Sequence, residues 1–217
     1  FRKEAFVMEP QDVNIPCPIC FIEGEVKMIA HVDEIPYFGE HTQVTVLCNS
    51  CGWRQTDFIP AEGKKSGAWK IVIDSPDKLL ARVVRSSSCT VRVDELDLVV
   101  NPGSNSTGYV SNIEGVMNRF VDVIKMVLRD VQNEALQHAA GEIHEGLEET
   151  MDAINKLENM LTTIGSLKED DSQPITLELL DPNGHSMIIH EDAIERELSD
   201  EELVDLPVGP DPPVLSS

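Results

Sequence analysis

The chain has 217 residues, 41 % of them hydrophobic, enough to build one or two packed domains. Its 39 acidic residues outnumber 17 basic ones for a formal charge of −22. That balance argues against a polyanion as partner, because Lys and Arg neutralising phosphates supply most nucleic-acid affinity; a basic protein surface fits better. No stretch approaches the 18 consecutive apolar residues of a membrane span, since even Val121–Leu128 is broken by Asp122 and Lys125.

The sequence opens at Phe1 without a Met, which suggests a missing N-terminal piece or a trimmed chain. Residues 14–60 carry the strongest signal. Cys17-Pro18-Ile19-Cys20 and Cys48-Asn49-Ser50-Cys51 are two C-x2-C pairs separated by 27 residues. Each pair turns two thiolates toward one centre, and two pairs complete the tetrahedral shell that Zn²⁺ prefers. Four protein ligands leave no open position for substrate, so one structural zinc on Cys17, Cys20, Cys48 and Cys51 is expected, with no catalytic role. Gly52 fits the bend after the second pair. Strand-like alternation in Glu25–Ala30 and Gln43–Leu47 gives the order of a zinc ribbon: knuckle, hairpin arm, knuckle, hairpin arm. Between the arms lie Ile35, Pro36, Tyr37 and Phe38, an aromatic pair after a proline that is costly to expose without purpose. These residues, with Trp53 and Arg54 just past the second knuckle, divide between two readings: packing of the ribbon on its neighbour, or contact with a partner.

After the Gly63–Gly67 turn comes a strand-rich block, Trp69–Asp74, Leu80–Arg85 and Thr90–Val100, alternating at period two. Cys89 stands alone there. Five cysteines without a signal peptide fit a reducing cytoplasm, with Cys89 a small apolar core residue rather than a reactive thiol. Gly103–Gly108 opens like a P-loop, but Tyr109-Val110 stand where Lys-Ser/Thr must be, so no phosphate grip is expected. His31-Val32-Asp33 matches an iron-oxygenase H-x-D, yet lies between the zinc knuckles, where no such pocket can form.

The period then changes to 3.6. Ile113, Val116, Met117, Phe120, Ile124, Val127, Leu128 and Val131 form one apolar stripe, opened by the S-x-x-E box Ser111–Glu114. Ile143, Leu147, Met151, Ile154, Leu157, Leu161 and Ile164 form a second, with Gly165 placed to end it. Together they read as an antiparallel helical hairpin over 112–165. Ile175–Leu180 and Ser186–His190 are strands around the Asp181–Gly184 turn, so sheet flanks the hairpin on both sides and the helices are an insertion. His185 and His190 read as surface residues. The acidic, Pro-rich segment 191–217 is expected to be a disordered tail.

Cys17-Pro18-x-Cys20, Ile35–Phe38 with Glu40, Cys48-x-x-Cys51-Gly52, Asn112–Met117 and Leu180–Ile188 occur in the order seen in ZPR-type zinc-finger proteins. The resemblance spans about residues 14 to 190, and five motifs agree in order. Eukaryotic members carry two zinc finger plus β-domain copies; this chain has one and looks like the shorter, archaeal form. The resemblance implies an α+β, mainly β fold: a ribbon similar to that of translation initiation factor two (14–60), then a double-stranded β-helix domain (61–190) with the helical hairpin inserted. It also implies a partner, translation elongation factor 1-alpha, which family members bind and help to fold. Two positions depart from the pattern. Phe21 follows Cys20 where the family has a glycine, and Ser104–Thr107 only loosely matches the family's approach to the helix.

The combined expectation is a non-enzymatic, zinc-binding folding chaperone or binding partner of elongation factor 1-alpha, monomeric and cytoplasmic. An accessory factor of transcription or translation whose ribbon touches nucleic acid is the alternative, opposed by the charge. An enzyme built on the β-helix pocket would need a convergent His/carboxylate set that the sequence lacks.

Overall fold

A computed structural model describes residues 6–35, 39–60, 65–103, 105–140 and 147–207. In chain order the strands are β1 (Phe6–Val7), β2 (Gln11–Asp12), β3 (Val26–Ile35), β4 (Gly39–Cys48), β5 (Arg54–Pro60), β6 (Gly67–Ile73), β7 (Arg82–Arg85), β8 (Thr90–Val93), β9 (Leu98–Val100) and β10 (Tyr109–Asn112). The helices α1 (Ile113–Ala140) and α2 (Leu147–Ser166) follow, then β11 (Ile175–Asp181), β12 (Met187–Ile189), β13 (Ile194–Glu197) and the short α3 (Asp200–Asp205). The chain is α+β and mainly β.

The ribbon sheet has the order β1-β3-β4-β5, with β2 also on β3. The β3–β4 pairing runs from Val26 opposite Cys48 to Ile35 opposite Gly39. Because strand side chains alternate, that register puts Val26, Met28, Val44, Val46 and Cys48 on one face. There they are buried with Cys17, and Val13, Cys20, Trp53 and Ile59 pack against them. The metal ligands and the apolar core of the ribbon are thus one cluster.

Two further sheets follow, β13-β6-β11-β8-β9 and β10-β7-β12. Ile71, Val83, Val91, Val93, Leu177, Leu179 and Ile188 are fully or nearly fully buried in them. These strands and the ribbon belong to one compact unit. The second unit is Val72–Ala81 with Ser111–Ile175, so the compact boundary falls around the helices and not between 14–60 and 61–190. In that unit α1 and α2 pack on each other and α1 also meets the 3-10 turn Pro76–Leu80. Ile113, Val116, Met117, Phe120, Ile124, Ile154 and Ile164 are buried as the 3.6-residue period predicts, whereas Val127 and Met151 of the same stripes are exposed. The helix cap is Asn112 and not Ser111: Asn112 Oδ1 accepts from the Gly115 N–H at 2.8 Å. A Cβ at Gly115 would lie 2.2 Å from Ser111 Oγ, so a side chain there would force the Ser111 hydroxyl to turn away.

Polar groups weld the ribbon to the sheets of its unit. Asp57, 1 % exposed in the middle of β5, accepts from Ser87 N–H at 3.0 Å and from Ser87 Oγ at 2.5 Å. Ser86 and Ser88 donate to Asp181 on β11, each at 2.7 Å, and Ser186 adds a bond of 2.6 Å. The Ser86–Ser88 turn therefore lies buried between two carboxylates. Burying charge is tolerable only with this degree of hydrogen bonding. Arg85 completes the knot, donating to Ser106 Oγ, Thr107 C=O and Cys89 C=O with its guanidinium 5.7 Å from the Tyr109 ring centre.

The reading of 191–217 as a disordered tail is corrected for residues up to 207; those beyond lie outside the described residues. β13 pairs with β6 from Ile194 opposite Lys70 to Glu197 opposite Gly67. Arg196 grips Glu202 through both nitrogens at 2.7 Å and reaches Glu178 at 2.9 Å. Arg92 binds the other oxygen of Glu178. Ser199 and Glu202 form a reciprocal capping box that starts α3. Leu198 is buried with Ala68 and Leu180, and Leu203 and Leu206 pack beside them. One arginine between two carboxylates, with three leucines, orders a segment that its average composition marks as unfoldable.

Candidate metal centre

The two knuckles have the same backbone. Cys17 C=O accepts from Phe21 N–H at 2.9 Å and Cys48 C=O from Gly52 N–H at 3.0 Å. Cys17 N–H donates to Ile22 C=O at 3.1 Å and Cys48 N–H to Trp53 C=O at 2.8 Å. Each loop so closed turns through one left-handed residue, Phe21 at φ 60° and Gly52 at φ 76°. A bond from Asn49 N–H to Glu25 C=O at 2.9 Å ties the second knuckle to the segment entering β3.

This backbone brings the four sulfurs within 4.8 Å of one another. Cys17 Sγ lies 3.7 Å from Cys51 Sγ, and Cys20 Sγ 3.7 Å from Cys48 Sγ. A tetrahedron with Zn–S bonds of about 2.3 Å has edges of about 3.8 Å, so the donor set fits zinc, whereas a disulfide needs about 2 Å. Burial opposes ionisation of Cys17, yet the N–H groups of Cys20 and Ile19 and the neighbouring thiols outweigh it and hold that thiol down at about 6. At Cys51 the Trp53 N–H favours the thiolate, but burial and the three other sulfurs push it up to about 12. Sulfurs this close cannot all ionise without a cation between them. The cluster is the site of a single structural zinc, with all four coordination positions taken by the protein's own sulfurs and Cys51 at the exposed side.

Among the described residues this is the only group of three or more His, Cys, Asp or Glu able to share a metal ion. His31 and Asp33 lie on β3 opposite Gln43 and His41 and belong to no such group. Cys89 is fully buried, donates to Thr90 C=O at 3.3 Å, and is pushed up to about 12 by burial and by Asp181. It is an inert core thiol. The P-loop-like segment is spent internally: Ser106 N–H bonds Gly103 C=O at 2.9 Å and Gly108 N–H bonds Thr56 C=O at 2.7 Å. A Cβ at Gly108 would stand 2.9 Å from Phe58 Cδ2 and 3.0 Å from Asp57 Oδ1, so that glycine serves close packing.

The remaining expected site residues separate. Trp53 is half-buried against the ribbon core. Arg54 is exposed and lines an open cleft of about 400 Å³ with Gln43, Thr56, Phe58, Thr107 and Gly108. Ile35 ends β3, while Pro36, Tyr37 and Phe38 lie outside the described residues. His185 and His190 are half-buried, and His190 Nδ1 accepts from Asp192 N–H at 3.1 Å. Phe21, noted in the sequence as a departure from glycine, takes the same left-handed conformation as Gly52, and Asp57 has no local sequence signal because its partner Ser87 is thirty residues away.

Comparison with known proteins adds the following. The family model of the ZPR1 jelly-roll domain matches residues 77–204, and a jelly roll is the double-sheet architecture expected of this region. A ZPR1-like protein of Pyrococcus horikoshii is 35 % identical over 194 residues, covering 89 % of this chain and 80 % of its own. One of Methanocaldococcus jannaschii is 34 % identical over 196 residues, 90 % of each chain. The zinc finger chaperone zpr1 of Schizosaccharomyces pombe is 26 % identical over 180 residues, 82 % of this chain but 35 % of its own length.

Proposed function

This chain belongs to the ZPR1 family, and on that premise we propose that it is a non-enzymatic, zinc-dependent folding chaperone or binding partner of translation elongation factor 1-alpha, acting in the cytoplasm. The observation that carries this reading is the closed four-sulfur centre, whose geometry uses every coordination position for the protein's own ligands. Such a metal holds a surface in shape; it does not activate water or polarise a substrate. The fission-yeast relative bears the name of a chaperone, which supports a role in binding protein, and the sequence resemblance supplies the identity of the partner. A charge of −22 supports a basic protein surface over nucleic acid. No helix among the described residues is long and apolar enough to cross a membrane.

In this reading Ile35, Pro36, Tyr37 and Phe38 meet the partner, and Trp53 and Arg54 make a second contact at the knuckle end of the ribbon, where Arg54 lies opposite Leu47. The chaperone works by binding energy alone: an apolar anchor holds an incompletely folded surface, and the acidic field speeds encounter. The test is a pull-down from native cytosol with the zinc-loaded chain, its bound proteins identified by mass spectrometry. Elongation factor 1-alpha should be enriched over a chain carrying Cys48→Ser. Recovery of RNA in a salt-dependent manner, with the factor absent, would overturn the proposal.

A further inference from the structure

The two knuckles differ at one residue. Gly52 takes the left-handed conformation without steric cost, whereas Phe21 carries a bulky side chain at φ 60°, where such residues are strained. Packing does not compensate, because Phe21 is 77 % exposed. Ile15, Ile19 and Ile22, at 46 %, 50 % and 44 %, are exposed on the same short loop. Hydrogen bonds from Phe21 N–H, from Ile19 N–H and to Ile22 C=O all close on Cys17, so the backbone carrying three of these side chains wraps tightly around one cysteine. A single exposed isoleucine needs no explanation. Four large apolar residues within eight positions approach the few hundred Å² at which an exposed patch is commonly functional.

The rim of this patch is acidic. From Met8 to Val26 the chain contains Glu9, Asp12, Glu23 and Glu25 and no Lys or Arg; Lys27, the next residue, pairs with Asp12 at 3.7 Å and leaves the three glutamates to set the sign. Four thiolates around one Zn²⁺ add a formal charge of two negative (four minus two). An apolar centre inside a charged rim is the anatomy of a protein interface, and this rim calls for a basic complement.

We propose that Ile15, Ile19, Phe21 and Ile22 form a docking surface for an extended polypeptide segment whose apolar side chains are flanked by Lys or Arg. Phe21 is its anchor, retained in a strained backbone conformation because binding requires the ring. The proposal rests on the protein-binding reading above and adds to it a surface and a client chemistry. A second copy of this chain would bring acidic rim against acidic rim, and an anionic membrane surface would be repelled likewise.

The test uses the zinc-loaded full chain and three labelled synthetic peptides: one with Leu and Phe flanked by Lys and Arg, one with Glu at the basic positions, and one with Ser at the apolar positions. The first should bind at millimolar concentration or below, shift the backbone NMR signals of Ile15 to Glu23, and weaken with salt. Phe21→Gly and Phe21→Asn, both compatible with a left-handed backbone, should lower its affinity at least about tenfold while zinc content holds and the ribbon's thermal midpoint holds or rises as the strain is relieved. Unchanged affinity in both variants, equal binding of the Glu peptide, no binding of any peptide, or a concentration-dependent dimer that Phe21→Gly dissolves would each overturn the assignment. Peptide binding lost in both variants, with elongation factor still refused by the parent chain, would strike the proposed partner and leave this surface standing.

Discussion

Replacing Asp181 by Asn changes one atom and tests whether the buried polar weld stabilises the jelly roll. Asp181 is 1 % exposed, and its carboxylate accepts five hydrogen bonds. Oδ2 takes Ser86 Oγ at 2.7 Å, Ser186 Oγ at 2.6 Å and His185 N–H at 3.0 Å. Oδ1 takes Ser88 Oγ at 2.7 Å and Asn183 N–H at 3.0 Å. In Asp181→Asn the amide nitrogen is least costly at the Oδ1 position. There Ser88 can rotate its hydroxyl to accept, but the Asn183 N–H cannot, and one orphaned buried donor costs about 1–3 kcal/mol. The surviving bonds lose the strengthening that an ionised acceptor gives, and the relieved desolvation of the carboxylate offsets part of that loss. The net destabilisation expected is about 3 kcal/mol, and Asp181→Ala, which strands all five donors, should exceed it. Urea unfolding followed by Trp69 fluorescence, in a chain whose Trp53 is replaced by Phe, reads the sheet next to β11. With a urea slope of about 2–3 kcal/mol per molar, the midpoint should fall by about 1 M or more for Asn. A midpoint unchanged by Asp181→Asn, or an Ala variant no weaker than the Asn variant, would refute the reasoning.

The C-terminal strap should be pH-sensitive: Arg196 and the Ser199 N–H hold the Glu202 carboxyl down at about 2, so its contribution is complete above the usual carboxylate range and is lost as pH falls from about 4.5 through about 2. The protection of the β13 amides against hydrogen exchange, relative to the intrinsic rate at each pH, should fall over that window, and at neutral pH by about tenfold in Glu202→Gln, an effect limited by solvent screening. Elemental analysis should find one zinc per chain. Strong chelation should abolish the Trp53 signal while that of Trp69 persists, because ligation contributes on the order of 10–16 kcal/mol in small zinc modules and the jelly roll has its own core. Replacing Tyr37 and Phe38 by Ala should leave zinc content unchanged and weaken capture of elongation factor 1-alpha about 30-fold, as for loss of about 2 kcal/mol in an interface anchor; calorimetric titration measures it.

The parts legible in the sequence were those whose physics is local. Doubled C-x2-C spacing fixes four sulfurs through two tight turns, and the apolar stripes of α1 and α2 repeat with the helical period. What stayed hidden depended on distant pairing. The acidic run after Glu191 becomes strand and helix because Arg196 meets Glu178, eighteen residues earlier in sequence, and because Leu198 finds Ala68 and Leu180. Ser86-Ser87-Ser88 reads as a loop until Asp57 and Asp181 arrive from other strands. Phe21 was visible as a departure from glycine, but its meaning needed the measured φ and exposure.

The most direct measurement of the central claim is the refolding yield of elongation factor 1-alpha diluted from denaturant with stoichiometric zinc-loaded chain. The account predicts a yield well above spontaneous refolding, lost when Cys20 and Cys48 are replaced by Ser. A yield equal with and without the intact chain, or unaffected by loss of the zinc ligands, would contradict it.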